Sequence, residues 1–532
     1  MKESPRTRMM LIGYLLLLST GMGFSMMVLE VSAPRLLAPY FGSSNYLWTN
    51  VIGSILAALA GGYYLGGKIA DRWPRLSVAA TWAMTGGVLA TASPPAAAAL
   101  SKWLAPPGHL DLSSVPTSVS GSLLVTVIAF VPPILIVGGL SPMIVRLLSL
   151  HGQVGWASGA VSATTTLGAV LGTFAPTLWL IPAIGSRMTV LTASVVACSV
   201  GLLGLVLCGL RRELFAAVLV CVLAWAGLWL QGSAVIHVSD TIDELETAYQ
   251  YACVRQRDGR LELHTDSPKA ATQSVFDEDS YLTGLNFDDL SGAALLTGRD
   301  PGQPLKVLVL GLAGGTVSRQ IHHFLGDRYD LEIEGVEIDP GIVELGRRHF
   351  GLGGPEHTSL EIYAVDGRRF LRSTTRNYDL IVIDVFSHGN QIPWHMASRQ
   401  FFGLVRDRLA PGGVMTMNVV LPSSSSKLGW ALLTTIGEAF EDTWFQRRRG
   451  TWNIQVLAPR DGTLELERGR ARVRRLLLSA EQGEAAAFGQ GLLERWTHLV
   501  KLRPVMPGEV LTDDWAPTEH LARMDAASVW NR

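Results

Sequence analysis

Between residues 307 and 387 the chain collects the residue types that chemistry on a nucleoside requires. Gly311, Gly314 and Gly315 separate the apolar run VLVL from a helical pattern. Glycine lets backbone approach a ligand closely, and a helix start offers it free N–H groups. Their spacing is not G-x-G-x-x-G, so they are not a dinucleotide fingerprint. Glu337 ends a second apolar run, where a carboxylate can accept both hydroxyls of a ribose. Asp366-Gly367 follows a third run and puts a carboxylate within reach of an adenine amino group. Asp384 ends a fourth, YDLIVID, with Ser387 and His388 behind it. One strand-end acid is ordinary. A glycine turn followed by three such acids reads as a nucleoside site of the S-adenosylmethionine type.

The elements that must hold these residues alternate. Strands are predicted at 306–311, 331–337, 360–364, 379–384 and 413–419, with helices at 315–325, 340–349, 396–409 and 428–440. Strand-like runs at 443–448 and 452–458 follow. Such alternation predicts a doubly wound, mostly parallel α/β sheet, whose ligands sit at the C-terminal strand ends. A small β-rich region is expected ahead of it, over 232–304, with turn signals at Arg257-Asp258-Gly259 and Asp266-Ser267-Pro268. The nucleoside domain then occupies 305–532.

Residues 1–231 have another composition. Apolar stretches near 10–31, 47–67, 77–100, 119–148, 154–182, 188–210 and 214–231 predict about seven membrane helices. The last is short, and the fourth, with Pro132, Pro133, Gly138, Gly139 and Pro142, is expected to kink or break. Gly62/Gly66, Gly155/Gly159 and Gly168/Gly172 have the small-xxx-small spacing of close helix contact. With a cytoplasmic N-terminus, nine basic residues fall on the inner side (Lys2, Arg6, Arg8, Lys68, Arg72, Arg75, Arg146, Arg211, Arg212) and three on the outer (Arg35, Lys102, Arg187). This bias and seven spans put the soluble half outside the cytoplasm, across the plasma (inner) membrane. Glu30 and Arg35 are the notable charges at the first span, and the loop Gly66–Arg75 resembles the Gly-x-x-x-Asp-Arg loop of major facilitator transporters. A formal net charge of -1 gives no reason to expect nucleic acid. Cys198, Cys208, Cys221 and Cys253 show neither disulfide nor metal spacing, and no metal is expected.

From about Glu246 to Pro459 the order of segments resembles the polyamine aminopropyltransferases, the spermidine synthase family. Tyr249-Gln250 and Gln273 match its entry region, Glu337-Ile338-Asp339 its Glu-Ile-Asp, Asp366-Gly367 its Asp-Gly and Asp384 its catalytic aspartate. The strings LEVSAPRLLAPYFGSS, GGYYLGGKIADR and LTDDWAPTEHL are similar to the membrane-fused members of that family. The resemblance implies a class I methyltransferase-like fold that binds decarboxylated S-adenosylmethionine through Gln250, Gln273, Gly311, Gly314, Gly315, Glu337, Asp366 and Gly367. It implies Asp384 as base and a small amine or polyamine as acceptor near Ser387 and His388, in a chain that sits in the lipid bilayer and is compatible with a homo-oligomer. Two departures stand out. GLAGGT lacks the loop aspartate that holds the cofactor's amine-bearing arm, and Asp-Ser-Ser-Asp becomes Asp384-Val385-Phe386-Ser387, which predicts poor use of putrescine. A methyltransferase using S-adenosylmethionine itself, or a nucleoside-sensing domain of a membrane transporter, are the competing readings.

Overall fold

The computed structural model describes residues 5–41, 45–104, 115–209, 218, 222, 240–267, 270–386, 392–448, 450–478, 483–502 and 508–530. They form two compact units, the first of which takes in the N-terminal helices and the segment Leu245–Tyr251, the second nearly all from Ala252 onward.

Seven helices of the first unit are described: α1 (Pro5–Phe41), α2 (Asn45–Arg72), α3 (Leu76–Leu104), α4 (Val115–Ala129), α5 (Val131–Ser149), α6 (Val154–Ala175) and α7 (Ile181–Leu207). By length and hydropathy three runs can cross a membrane: Pro5–Phe41, Val131–Ser149 and Val154–Leu207. That is fewer than the seven spans expected. The run Val154–Leu207 covers two of those spans, helices α2 and α3 are long enough but fall outside the three runs, and the stretch 214–231 lies outside the described residues. The last run joins α6 to α7 through a π turn at Pro176–Leu180, and Gly185 (φ 76°) interrupts it.

The predicted break of the fourth span falls at Phe130, before the Pro132-Pro133 pair, and does not reverse the chain. Phe130 keeps right-handed helical angles. Asn50 Nδ2 donates to Val119 O, while Cβ atoms at Gly62 and Gly66 would strike the backbones of Leu135 and Gly139. Thus α4 and α5 both run alongside α2 in one direction. Gly62 and Gly66 are therefore true contact glycines, as are Gly168 and Gly172, whose Cβ atoms would meet Thr20 and Phe24 of α1. Among the described residues no atom lies within 4 Å of a Cβ at Gly155 or Gly159, so there their spacing meets no helix contact. Tyr14 Oη donates to Val200 O at 3.1 Å and Ser25 Oγ to Ala193 O at 2.9 Å, which sets α1 and α7 antiparallel. Helix α7 thus ends where α1 begins.

The second unit opens with a meander of β1 (Thr241–Glu246), β2 (Tyr251–Arg257), β3 (Arg260–Thr265) and β4 (Thr272–Phe276), followed by α8 (Asn286–Gly292). The main chain then alternates β5 (Pro304–Leu310), α9 (Thr316–Leu325), β6 (Asp330–Glu337), α10 (Pro340–His349), β7 (Leu360–Ala364), α11 (Gly367–Ser373), β8 (Tyr378–Ile383), α12 (Arg399–Arg408), β9 (Leu409–Val420), α13 (Lys427–Ala439), β10 (Trp444–Arg447) and β11 (Asn453–Pro459). Helices α14 (Leu466–Leu476) and α15 (Glu484–Trp496), strand β12 (Val500–Lys501) and helix α16 (Thr518–Trp530) complete it. The large sheet has the order β12-β10-β11-β9-β8-β5-β6-β7, with β9-β8-β5-β6-β7 parallel and β11 antiparallel to β9. This is the predicted doubly wound sheet. Its strands are apolar on both faces because both are covered: Leu308, Leu310, Ile381 and Ile383 enter one core, Val307, Val309, Leu380 and Val382 the other. The strand order reverses between β5 and β8, where such folds bind their ligands.

Candidate active site

At that reversal the ends of β5 and β8 are stitched together, with Asp384 N donating to Leu310 O at 3.0 Å. Gly311 follows with φ 83°, and a Cβ there would strike Asp384 O. Its glycine is thus required by the crossing of the two strand ends. Gly314 N donates to Ser274 Oγ of β4 at 2.8 Å, and a Cβ on Gly315 (φ 87°) would come within 2.6 Å of Leu352. The glycine turn is shaped by the protein's own packing as well as by any ligand it cradles.

Asp384 is half-buried. Asn418 Nδ2, from β9, donates to one carboxylate oxygen at 3.0 Å, and Asn286 Nδ2, the first residue of α8, reaches the other at 3.5 Å. Burial pushes this carboxyl up to about 6, against the lowering effect of the two amides. While Asp384 is charged it needs donors, so Asn418 must turn its Nδ2 towards it. That leaves Asn418 Oδ1 buried with no partner among the described residues. The motif reading missed both asparagines. They lie 98 and 34 residues from Asp384 in sequence, and only the sheet topology joins them.

Glu337 accepts Ala313 N at 3.0 Å and Asp339 N at 3.1 Å. Burial raises it to about 7, opposed by these backbone donors. Two oxygens carry about four acceptor sites, so ribose hydroxyls can still be served. Ala313 holds a left-handed φ of 48°, uncommon for a residue with a Cβ, and its bond to Glu337 fixes it. Asp366 caps α11, its Oδ1 accepting Arg369 N at 2.8 Å, while Oδ2 lies 2.8 Å from His395 Nε2. Gly367 packs under Met396, whose Cε would lie 2.9 Å from a Cβ there.

In β4 it is Ser274 that reaches the glycine turn, whereas Gln273 Nε2 donates to Ala271 O at 3.2 Å. Gln250 belongs to the segment Leu245–Tyr251 of the first unit. Ser387 and His388 lie outside the described residues. No group of His, Cys, Asp and Glu able to hold a metal occurs among the described residues.

A brace that the motif reading did not place comes from the LTDDW segment. Asp513 accepts two bonds from Arg368 of α11, at 2.7 and 2.6 Å, and one from Ser398, the cap of α12, at 2.5 Å. Arg368 also donates to His395 O at 2.8 Å. The Arg368 guanidinium holds Asp513 below the usual carboxylate range.

Residues 290–443 match the model of the spermine/spermidine synthase domain. The chain is 29% identical over 287 residues to a probable polyamine aminopropyl transferase of Bifidobacterium longum, covering 52% of this chain and 61% of that protein. It is 27% identical over 335 residues to the polyamine aminopropyltransferase of Mycobacterium tuberculosis, covering 57% and 60%. The chain thus spans about three fifths of the length of these curated relatives. Among solved structures it is similar to a probable spermidine synthase from Corynebacterium glutamicum, at 18% identity and a TM-score of 0.37 over 55% of this chain and 95% of the other.

Proposed function

Because the second unit carries a spermine/spermidine synthase domain, we propose that the chain is a membrane-bound aminopropyltransferase. It moves the aminopropyl group of decarboxylated S-adenosylmethionine to an amine and releases methylthioadenosine. One observation carries the reading: a half-buried Asp384, pinned by two amides at the strand reversal, with an acceptor atom on Asn418 left open beside it. An ammonium cannot attack until it loses a proton. Asp384, raised to about 6, is a stronger base than an exposed aspartate and takes that proton. Asn418 Oδ1 accepts a second N–H and points the nitrogen lone pair along the line of attack. A C–N bond forms as the C–S⁺ bond breaks, and the leaving thioether is neutral, so no oxyanion site is called for. Glu337 is assigned to the ribose and Asp366 to the adenine side.

The glycine turn gives the one observation favouring a second reading: GLAGGT carries no acid to hold the donor's free amine, and the lack of that acid suits S-adenosylmethionine and methyl transfer. Mass spectrometry of products decides between them. Decarboxylated S-adenosylmethionine with a panel of amines should yield methylthioadenosine and an aminopropylated amine. Methylated amine and S-adenosylhomocysteine from S-adenosylmethionine would replace the first reading by the second.

Two supports favour placing residue 245 on the outer side. The basic residues divide nine to three. Within the first unit, Arg35 at the end of α1 donates to Thr247 O at 2.7 Å, and Ser186 N at the start of α7 donates to Glu246. Leu245–Tyr251 therefore lies at the opposite end of the bundle from Pro5 and Leu207, which fits an odd number of crossings before it.

A further inference from the structure

We propose that a groove between α2, α5 and α6 binds the phosphate and upper acyl chain of an anionic phospholipid. The inference rests on reading the first unit as membrane-embedded. The groove is open to the outside and encloses about 640 Å³. Tyr63, Ala70, Val145 and Val154 supply its apolar lining, and Tyr63 and Val154 are themselves exposed, as expected of a surface that meets lipid rather than protein. Its polar end is formed by Arg146 and Asp71.

Charge selects the occupant. Lys68, Arg72, Arg75 and Arg146 stand at this end of the bundle against the single carboxylate of Asp71 in the lining. Arg146 and Asp71 approach only to 3.8 Å, with 45% and 83% of their side chains exposed. Such a pair contributes little and leaves the guanidinium free to turn to a phosphate, which it can hold by two N–H bonds. Lys68 lies 4.4 Å from the Tyr64 ring and Arg72 4.9 Å from the Trp73 ring, the arrangement of an interfacial belt in which cations and aromatic rings share the headgroup layer. Juxtamembrane cations attract the anionic lipids of the leaflet they face. The same charges repel an oligocation, so this groove is not a path for a polyamine. It also gives the segment Gly66–Arg75, which the structure shows to be the last turns of α2 and a three-residue link, a role that transport does not require.

The test uses the full chain in nanodiscs of phosphatidylcholine and phosphatidylglycerol in equal amounts, followed by native mass spectrometry of the released protein. Retention of phosphatidylglycerol should exceed that of phosphatidylcholine by about tenfold, the value of one charge-assisted contact. Arg146→Gln should abolish the preference, while methylthioadenosine release by the same variant stays at the parent level and certifies its fold. Arg75→Gln, outside the lining, should keep most of it. Equal retention of both lipids by the parent, or an unchanged preference in Arg146→Gln, would overturn the proposal. Release of the chain from membranes by carbonate alone would overturn it together with the membrane reading.

Discussion

Asp384 and Glu337 share a condition that decides what each can do: Glu337 is buried and Asp384 half-buried, and loss of solvent holds both carboxyls above their usual range. Asp384→Asn keeps the shape and one of the two amide contacts, sets a donor against the other amide unless that amide turns over, and removes the proton acceptor. Transfer should fall 10²–10⁴-fold, the usual contribution of a general base, while calorimetry shows nucleoside affinity within about tenfold. Near-normal turnover would remove Asp384 from the mechanism. Glu337→Ala should weaken nucleoside binding by about 30-fold or more, since hydrogen bonds to a charged group contribute roughly 1.5–3 kcal/mol each. Unchanged affinity would make Glu337 a purely architectural acid that tethers Ala313. Stability supplies an independent check. A carboxyl whose folded pKa lies above its unfolded one favours the folded state below the unfolded pKa and loses that contribution as pH rises through the folded value. For these two groups, raised to about 6 and about 7, the window is pH 4 to 7, and each disfavours the folded state at neutral pH by on the order of 3 kcal/mol. The ligand-free protein should melt at a higher temperature at pH 5.5 than at pH 7.5, and the Glu337→Gln variant should show a flatter profile. An identical slope in that variant would assign the effect to other groups.

Among elements, the sheet was legible and the brace was not. The apolar runs ending in Gly311, Glu337 and Asp384 announced β5, β6 and β8, because strands buried on both faces need no alternation of polarity to be seen. Helix α11 escaped because GRRFLRS is short and charged, although Asp366 ahead of it is a good N-cap. Asn286 and Asn418 carry no local signal at all; an asparagine matters here only through what a distant strand end presents to it. The Gly155/Gly159 pair shows the opposite failure, a correct motif with no neighbour to receive it among the described residues. The LTDDW segment could be recognised as a string, yet its partner Arg368 lies 145 residues away. Asp513→Asn should cost about 2 kcal/mol, less than a fully buried pair, since a third of the Asp513 side chain is exposed while Arg368 is not. Because Arg368 holds both α11 and the His395 turn, nucleoside affinity should weaken by a larger factor than the amine's KM rises. Calorimetry beside steady-state kinetics measures both, and an equal loss of the two would make Asp513 a general stabiliser only.

At the scale of the molecule, the helical unit and the catalytic unit pose the question of which side the chemistry occupies. Alkaline phosphatase fused after residue 532 should be active in intact cells, and a fluorescent protein that matures only in the cytoplasm should stay dark. The reverse pattern would show that an even number of crossings precedes residue 245. Arg368 and Asp513 add a dimension of time. During synthesis at ~5–20 residues per second, the 145 residues between them take on the order of ten seconds to appear. For that interval the strands can pair and the glycine turn can close, but the turn that bears Asp366 has no brace. A nascent chain is therefore competent to fold its sheet before it is competent to grip a nucleoside, and the last switch to be thrown is the arrival of Asp513.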